Sequence, residues 1–89
     1  AIASTRWVGL RLHVELNGAS SECAIDIRSK AADATSSLLE PKAPKPLAGT
    51  SGKASLVLSN DEHTGKAATL VILYRDEVVA KIPVTIGEN

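Results

Sequence analysis

Apolar and polar residues alternate along several stretches of this chain, and this pattern predicts β-strands. In residues 7–16 every even-numbered position is apolar, and charged side chains such as Arg11 and Glu15 fall between them. A period of two is the pattern of a strand that buries one face. Gly9 interrupts the stretch and indicates a bulge or a close approach of backbone.

Two further stretches, residues 22–28 and 53–59, alternate in the same way. Their inward positions are Cys23, Ile25 and Ile27 in the first and Ala54, Leu56 and Leu58 in the second. Because the connection after residue 16 is short, we expect the strand at 22–28 to pair antiparallel with the strand at 7–16. The alternative is that this connection crosses between two sheets.

Residues 66–86 are the most apolar part of the chain and predict a β-hairpin with a tight polar turn at Asp76-Glu77. In the second strand of this hairpin, alternate positions from Val78 to Ile86 are apolar. Pro83 lies in that strand and has no N–H to donate to a neighbour. It therefore predicts an edge strand, or a strand in which the position of the proline amide points away from the neighbouring strand.

The register of this hairpin decides which residues it exposes. A two-residue loop at Asp76-Glu77 places Val71 and Leu73 on the core face. The opposite face then carries Leu70, Ile72, Tyr74 and Val79. A three-residue loop exchanges the two faces of the earlier strand. In either register an apolar row lies away from the core and predicts an interaction surface, unless a loop such as residues 40–52 covers it.

The middle of the chain gives a weaker pattern. Alanines near residue 32 suit a short helix, but the hydroxyls of residues 35–37 compete for backbone groups. We expect a turn followed by a short strand at 35–39, with a short helix near 30–39 as the alternative. Residues 40–52 contain three prolines and two glycines, which predicts a loop with polyproline II character.

Composition limits the size and make-up of the core. Eighty-nine residues correspond to one domain, residues 1–89. Trp7 and Tyr74 are the only aromatic residues, and Phe and Met are absent, so Leu, Ile, Val and Ala must build the core. Both aromatics alternate onto the face opposite the best core positions. We expect them to contact a partner, because aromatics dominate interface energetics; the alternative is that each folds over a sheet edge.

Charge and cysteine content exclude several classes of function. Ten basic and ten acidic residues balance, whereas nucleic-acid binders concentrate positive charge. No apolar run approaches the length of a transmembrane helix. Cys23 is the only cysteine, which favours a cytoplasmic protein or an assembly made in the cytoplasm. We therefore expect neither a nucleic acid nor a membrane as partner.

No residue pattern predicts chemistry. His13, His63 and Cys23 match no zinc-ligand spacing, and we expect Cys23 to be a buried, inert thiol. Residues 61–63 combine two carboxylates with an imidazole but lack the further oxygens of a calcium loop. Ser55 with His63 and Asp61 lacks a nucleophile elbow. We expect no catalytic residue, metal, cofactor or small-molecule substrate, and hence no enzyme.

The closing segment ATLVILYRDEVVAKIPVTI resembles the last two strands of bacterial immunoglobulin-like domains. Those domains often end with an apolar strand, a short acidic turn and an alternating strand that carries a proline. The chain departs from antibody-type domains in its single Cys23 and in the position of Trp7 in the first strand. With the strand pattern, the resemblance implies an all-β, immunoglobulin-like antiparallel β-sandwich of about six or seven strands. It carries over no binding residues.

Such domains usually act as accessory, spacing or docking modules, and fold alone does not fix function. We expect a non-catalytic interaction or structural module, such as a component of a phage or bacterial assembly. It would dock onto another chain, or self-associate, through the apolar face or edge of the hairpin at 66–86. The expected partner-binding residues are Trp7, Leu70, Ile72, Tyr74 and Val79. The alternative is a free-standing protein binder or inhibitor that acts through loop 40–52.

Overall fold

The chain forms two antiparallel sheets that pack face to face. The computed structural model describes residues 2–17, 22–31, 33–47, 52–59 and 61–89, with side chains from residue 4 onward. The strands are β1 Ile2–Val8, β2 Arg11–Leu16, β3 Cys23–Ser29, β4 Lys45–Pro46, β5 Lys53–Val57, β6 Ala67–Tyr74 and β7 Glu77–Thr85. A 3-10 helix spans Asp61–His63. The strand orders are β1-β2-β5 and β4-β3-β6-β7, so the predicted all-β sandwich is confirmed. Across the described ranges, no helix has the length and apolarity that crossing a membrane would require.

One core lies between the two sheets and contains no aromatic residue except Trp7. Its buried members are Trp7, Leu12, Val14, Leu16, Ile25, Ile27, Leu39, Leu47, Leu56, Leu58, Ala68, Leu70, Ile72 and Ile86. Cys23 and Ala54 pack against this core at its margin. The inward positions predicted for β3 and β5 are therefore confirmed. A large aliphatic side chain contributes about 1.5–3 kcal/mol when fully buried.

The stretch predicted as one strand at 7–16 is instead a hairpin. Val8 pairs with Arg11, and between them Gly9 adopts φ +60°, a left-handed conformation that glycine adopts without steric cost. Trp7 lies opposite Leu12, and opposite residues of an antiparallel pair project to the same face. Trp7 therefore points into the core with Leu12, and its expected outward orientation is wrong.

The connection after β2 crosses from one sheet to the other. β2 pairs with β1 and β5, whereas β3 pairs with β4 and β6. The predicted pairing between the first two alternating stretches is therefore wrong, and the crossing alternative is correct. The crossing lets the apolar sides of β2 and β3 face each other from opposite sheets in one core.

A second crossing runs through residues 37–40. Ser37 forms a bridge with Arg28 in one sheet, and Leu39 forms a bridge with Leu58 in the other. The N–H of Glu40 donates to the C=O of Val57 at 2.8 Å. Extended backbone near 35–39 is thus confirmed, and the alternative helix is absent from the described part of 30–39. The loop predicted at 40–52 contains the two-residue strand β4, and its residues 48–51 lie outside the described residues.

The β6–β7 hairpin turns one residue earlier than predicted. Arg75 and Asp76 form a two-residue turn, with φ of 48° and 67°, flanked by the pair of Tyr74 and Glu77. Leu73 lies opposite Val78 and Ile72 lies opposite Ala80, so Val79 is an extra, bulged residue. The turn and the bulge together put Leu70 and Ile72 on the core face and Val71 on the outer face.

Strand β7 forms a free edge that is protected against strand addition. The C=O groups of Cys23 and Ile27 accept hydrogen bonds on the β4 side of β3. The N–H and C=O groups of successive residues in an antiparallel strand point alternately to the two neighbouring strands. Residues 23 and 27 point toward β4, so residues 24, 26 and 28 point toward β6. Followed through the registers of β6 and β7, this alternation points the backbone of Lys81 and Pro83 away from β6, to the outside of the sheet. The missing N–H of Pro83 therefore costs no bond within the sheet. An edge proline, a lysine and a bulge are devices that limit edge-to-edge pairing.

Candidate functional site

Three of the five expected partner-binding residues lie in the core. Trp7, Leu70 and Ile72 are buried between the sheets, with exposed fractions of 6%, 0% and 8%. The turn at Gly9 reverses Trp7, and the turn and bulge of the β6–β7 hairpin reverse the other two. Their expected place on the outer surface is therefore wrong.

The other two expected residues, Tyr74 and Val79, are both exposed at the end of the β6–β7 hairpin. We call residues 74–79 the hairpin tip. Tyr74 is 38% exposed, Val78 40% and Val79 60%. Among the side chains that the structure describes, Val8 is the only other large apolar residue exposed to this degree. The hairpin tip is therefore where the described surface concentrates its apolar side chains.

Tyr74 is held in place by polar contacts with its neighbours. Its hydroxyl donates to Glu22 Oε2 at 2.9 Å, and Arg75 Nε donates to the same oxygen at 3.1 Å. The Arg75 guanidinium lies 5.3 Å from the centroid of the Tyr74 ring, within the range of a cation–π contact. The hydrogen bond and the negative charge of Glu22 raise the pKa of Tyr74 above its ordinary value. The ring is thus pre-positioned at the surface.

The predicted apolar row on the outer face exists, but the protein itself buries it. Val71 and Leu73 point away from the core and are only 1% and 5% exposed. Residues 28–31 and 33–35 line a groove of about 620 Å³ together with Val71 and Val78. The alternative of cover by the protein itself is thus correct for Val71 and Leu73, and residues 28–31 and 33–35, rather than 40–52, lie beside Val71.

A buried carboxylate fixes this covering segment to the sheet. Asp26 is fully buried on the outer face. Its Oδ1 accepts from the N–H of Ile27 at 2.8 Å and from Ser37 Oγ at 2.5 Å. Its Oδ2 accepts from Arg28 Nε at 3.0 Å. Ser37 Oγ also accepts from the N–H of Leu39, so the network begins the second crossing between the sheets.

A second surface covers the outer side of the three-stranded sheet. Arg6, His13 and Ser55 lie directly opposite one another across β1, β2 and β5. Arg11 and Lys53 lie on the same side in the neighbouring rows. We call this surface the basic face, and its outward residues are Ser4, Arg6, Val8, Arg11, His13, Glu15, Lys53, Ser55 and Val57. A groove of about 860 Å³ opens along it.

Polar contacts converge on Ser55 at the centre of the basic face. Arg11 Nη1 donates to Ser55 Oγ at 3.1 Å, and His13 Nδ1 lies 3.5 Å from that oxygen. Lys45 Nζ reaches across from β4 and donates to the C=O of Ser55 at 2.7 Å. The three cations of the basic face, Arg6, Arg11 and Lys53, come from three different strands and share this surface with one carboxylate, that of Glu15.

The residues considered for chemistry do not assemble as that chemistry requires. Ser55 lies beside His13 and not beside His63, which belongs to the 3-10 helix with Asp61. Across the described ranges, no group of three or more His, Cys, Asp or Glu side chains is placed to hold a metal ion. The contact of Ser55 with His13 is longer than an ordinary nucleophile–base hydrogen bond.

Sequence reasoning missed the basic face because its cations come from different strands. Arg6 lies on β1, Arg11 on β2 and Lys53 on β5, and only the pairing of these strands brings them together. The one available signal was the alternation itself, which places Arg11, His13 and Glu15 on the outward side of their strand.

The chain was compared with models of protein families, with curated proteins and with solved structures, and none of them matches it. What this protein does must therefore be inferred from its own surfaces.

Proposed function

We propose that this chain is a non-catalytic protein-interaction module that docks onto another chain through the hairpin tip. The observation that carries the proposal is the exposure of Tyr74, Val78 and Val79 within six residues at the end of one hairpin. Exposed apolar side chains grouped in this way are typical of interaction surfaces. The single Cys23 supports a cytoplasmic origin, because oxidising compartments favour paired cysteines.

We also propose that the sandwich is immunoglobulin-like. Its strand order supports this, because β1-β2-β5 facing β4-β3-β6-β7 corresponds to strands A-B-E facing C′-C-F-G of that fold. In this correspondence the hairpin tip is the F–G loop. Loops at the ends of such sandwiches are where many of these domains recognise their partners.

The hairpin tip has the properties of a binding hot spot. A tyrosine buries a large area at the cost of few rotatable bonds, and Glu22 and Arg75 already fix the ring of Tyr74. Val78 and Val79 add exposed apolar area at the same end of the hairpin. The side chains around the bulge, rather than the β7 backbone, are the better docking element, because Lys81 and Pro83 protect the edge.

The alternative function is a protein binder or inhibitor that acts through loop 40–52. The specific observation in its favour is that every residue from 41 to 46 is exposed. This segment is also held in place, since Lys45 donates to the C=O of Ser55. It lacks exposed large apolar side chains, and for that reason we favour the hairpin tip.

Site-specific photo-crosslinking in the cells that make the protein tests this proposal. A photoreactive phenylalanine analogue at Val79 should give one discrete adduct, because this side chain would lie within the interface. The same analogue at Lys81, an exposed residue of the same strand, is the matched control and should give none. A discrete adduct from Lys42 alone would favour the alternative, and no discrete adduct from Val79 would show that the hairpin tip does not dock.

A further inference from the structure

The basic face and the hairpin tip carry opposite charge and matching apolar side chains. We propose that they bind each other in different copies of this chain, so that the hairpin tip of one molecule docks on the basic face of the next. This inference rests on the proposed docking role of the hairpin tip. It adds the identity of the partner and a second, separate surface.

The basic face has an uncompensated positive charge. Arg6, Arg11 and Lys53 project from three neighbouring strands, and Glu15 is the only carboxylate among the outward positions. The two ion pairs of the described residues, Arg28–Asp26 and Arg75–Glu22, both lie elsewhere. Arginine suits such a site, because its planar guanidinium binds carboxylates in a bidentate manner.

The hairpin tip has an uncompensated negative charge. Arg75 is paired with Glu22, which leaves Asp76 and Glu77 exposed and without an ion pair in the described part of the chain. These two carboxylates precede Val78 and Val79 directly. The tip therefore presents acidic and apolar groups next to each other.

The apolar residues of the two surfaces favour a protein partner over a polyanion. On the basic face Val8 is 55% exposed, and it lies opposite Arg11, which lies opposite Val57. All of the large apolar side chains that the structure describes as exposed belong to one of the two surfaces. A single-stranded nucleic acid would use aromatic platforms, and the basic face has none.

The overall charge fits attraction between copies. The chain has no net charge, so copies do not repel one another at long range. The charge is nevertheless separated, with cations on the face of one sheet and carboxylates at the tip of the other. Because the two surfaces differ, each molecule offers one of each, and the contact is heterologous. Such contacts build rings or open chains rather than closed two-fold dimers.

Two complementary variants test this arrangement by sedimentation velocity at low ionic strength. The face variant is Arg6→Gln with Arg11→Gln. The tip variant is Glu77→Lys with Asp76→Asn, chosen because asparagine tolerates a positive φ. Unchanged circular dichroism and thermal unfolding show that both variants fold.

The wild-type chain should form oligomers that grow with concentration and dissociate as salt is raised, since exposed charge pairs are screened. Each variant alone should self-associate with an affinity at least about tenfold lower than that of the wild-type chain. Mixed together, they should form a heterodimer and nothing larger, because only one intact tip and one intact face remain between them.

Other results overturn the proposal in distinguishable ways. If the tip variant loses association and the face variant does not, the tip docks somewhere other than the basic face, and the proposed function stands without this inference. If the wild-type chain stays monomeric and a labelled oligonucleotide binds it but not the face variant, the occupant is a polyanion. If the wild-type chain stays monomeric and does not bind the oligonucleotide, the basic face is not a self-association surface.

Discussion

Tyr74 shows how a single neighbour determines the behaviour of an exposed side chain. The Glu22 carboxylate accepts the phenol hydrogen bond, and it would be repelled by a phenolate in the same place. Both effects favour the protonated phenol, and the pKa of Tyr74 is raised for this reason. The same contact holds the ring at the surface, so the protonation state of Tyr74 reports on whether this contact is formed.

We predict that Tyr74 ionises above its ordinary value of 10.0 in the folded protein and closer to that value in the Glu22→Gln variant. Because the folded state raises this pKa, the contact stabilises the protein fully below the pKa of the unfolded chain. Its contribution is lost as the pH rises through the pKa of the folded state. Phenolate absorbance measures the shift directly, since this is the only tyrosine. The Glu62→Gln variant is the control. An ionisation midpoint of Tyr74 in Glu22→Gln equal to that in the wild-type chain would contradict the assignment of the pKa shift to Glu22.

At the scale of elements, alternation predicted the faces of β3 and β5 but not those of β1 and β6, and it did not predict the connections. The faces of β3 and β5 follow from periodicity alone, because one side of each strand is apolar. The alternation did not reveal that residues 7–16 belong to two strands, β1 and β2. Val8 is exposed and Leu10 lies in the turn, yet both continue the even-numbered apolar series of β2. Gly9 was the one residue in this stretch that indicated a reversal of the chain direction, and its φ of +60° allows the tight turn between β1 and β2.

The β6–β7 turn could not be predicted for a related reason. Two-residue hairpin turns favour Asn-Gly or Asp-Gly, and here Arg75 and Asp76 occupy the two positive-φ positions. Arginine is not an ordinary signal for that conformation, and Asp76, which tolerates it, lies at the second position, where glycine is favoured. The bulge at Val79 then shifts the register, and no local residue preference marks it.

We predict that Asp76→Gly stabilises the protein by about 0.5–1 kcal/mol, the strain of a left-handed residue less the added freedom of the unfolded chain. Urea unfolding followed by the fluorescence of Trp7 measures the change. Asp76→Asn removes the charge but tolerates the same φ, so it should leave stability nearly unchanged. Asp76→Ala should destabilise the protein. Equal stability of the glycine and alanine variants would mean that the turn does not constrain folding.

At the scale of the whole molecule, the Asp26 network joins the two sheets. The carboxylate holds Ser37 and the N–H of Ile27 in the four-stranded sheet. Two residues after Ser37, Leu39 pairs with Leu58 beside the three-stranded sheet. A polar group buried on an outer face thus positions the backbone that ties the layers together.

We predict that Asp26→Ala destabilises the protein by about 3 kcal/mol, because it leaves Arg28 and Ser37 without their buried partner. Asp26→Asn keeps an acceptor for Ser37 and for the N–H of Ile27, so it should cost about 1 kcal/mol. Trp7 lies in the other sheet, and its fluorescence should nevertheless report the full loss and coincide with circular dichroism. A transition that Trp7 does not register would show that the sheets unfold separately.

The candidate surfaces also belong to this scale, which is why the sequence predicted only part of them. Tyr74 and Val79 were expected to be exposed, but from a register that the turn and the bulge overturn; both are exposed because they lie at the end of the hairpin. The burial of Trp7 depends on a turn, and the basic face depends on strand pairings across the whole of one sheet. Balanced composition hides such a face, because the carboxylates that balance its cations lie elsewhere.

The protected edge of β7 has a consequence for partly folded states of the chain. Whenever β7 is detached, β6 is itself an edge, with apolar residues from Leu70 to Leu73 on both of its faces. The residues that limit pairing, Lys81 and Pro83, lie on β7, so they protect the sheet only while β7 is docked. Detachment of this one strand, rather than unfolding of the whole sandwich, therefore exposes the most aggregation-prone strand of the protein to wrong partners.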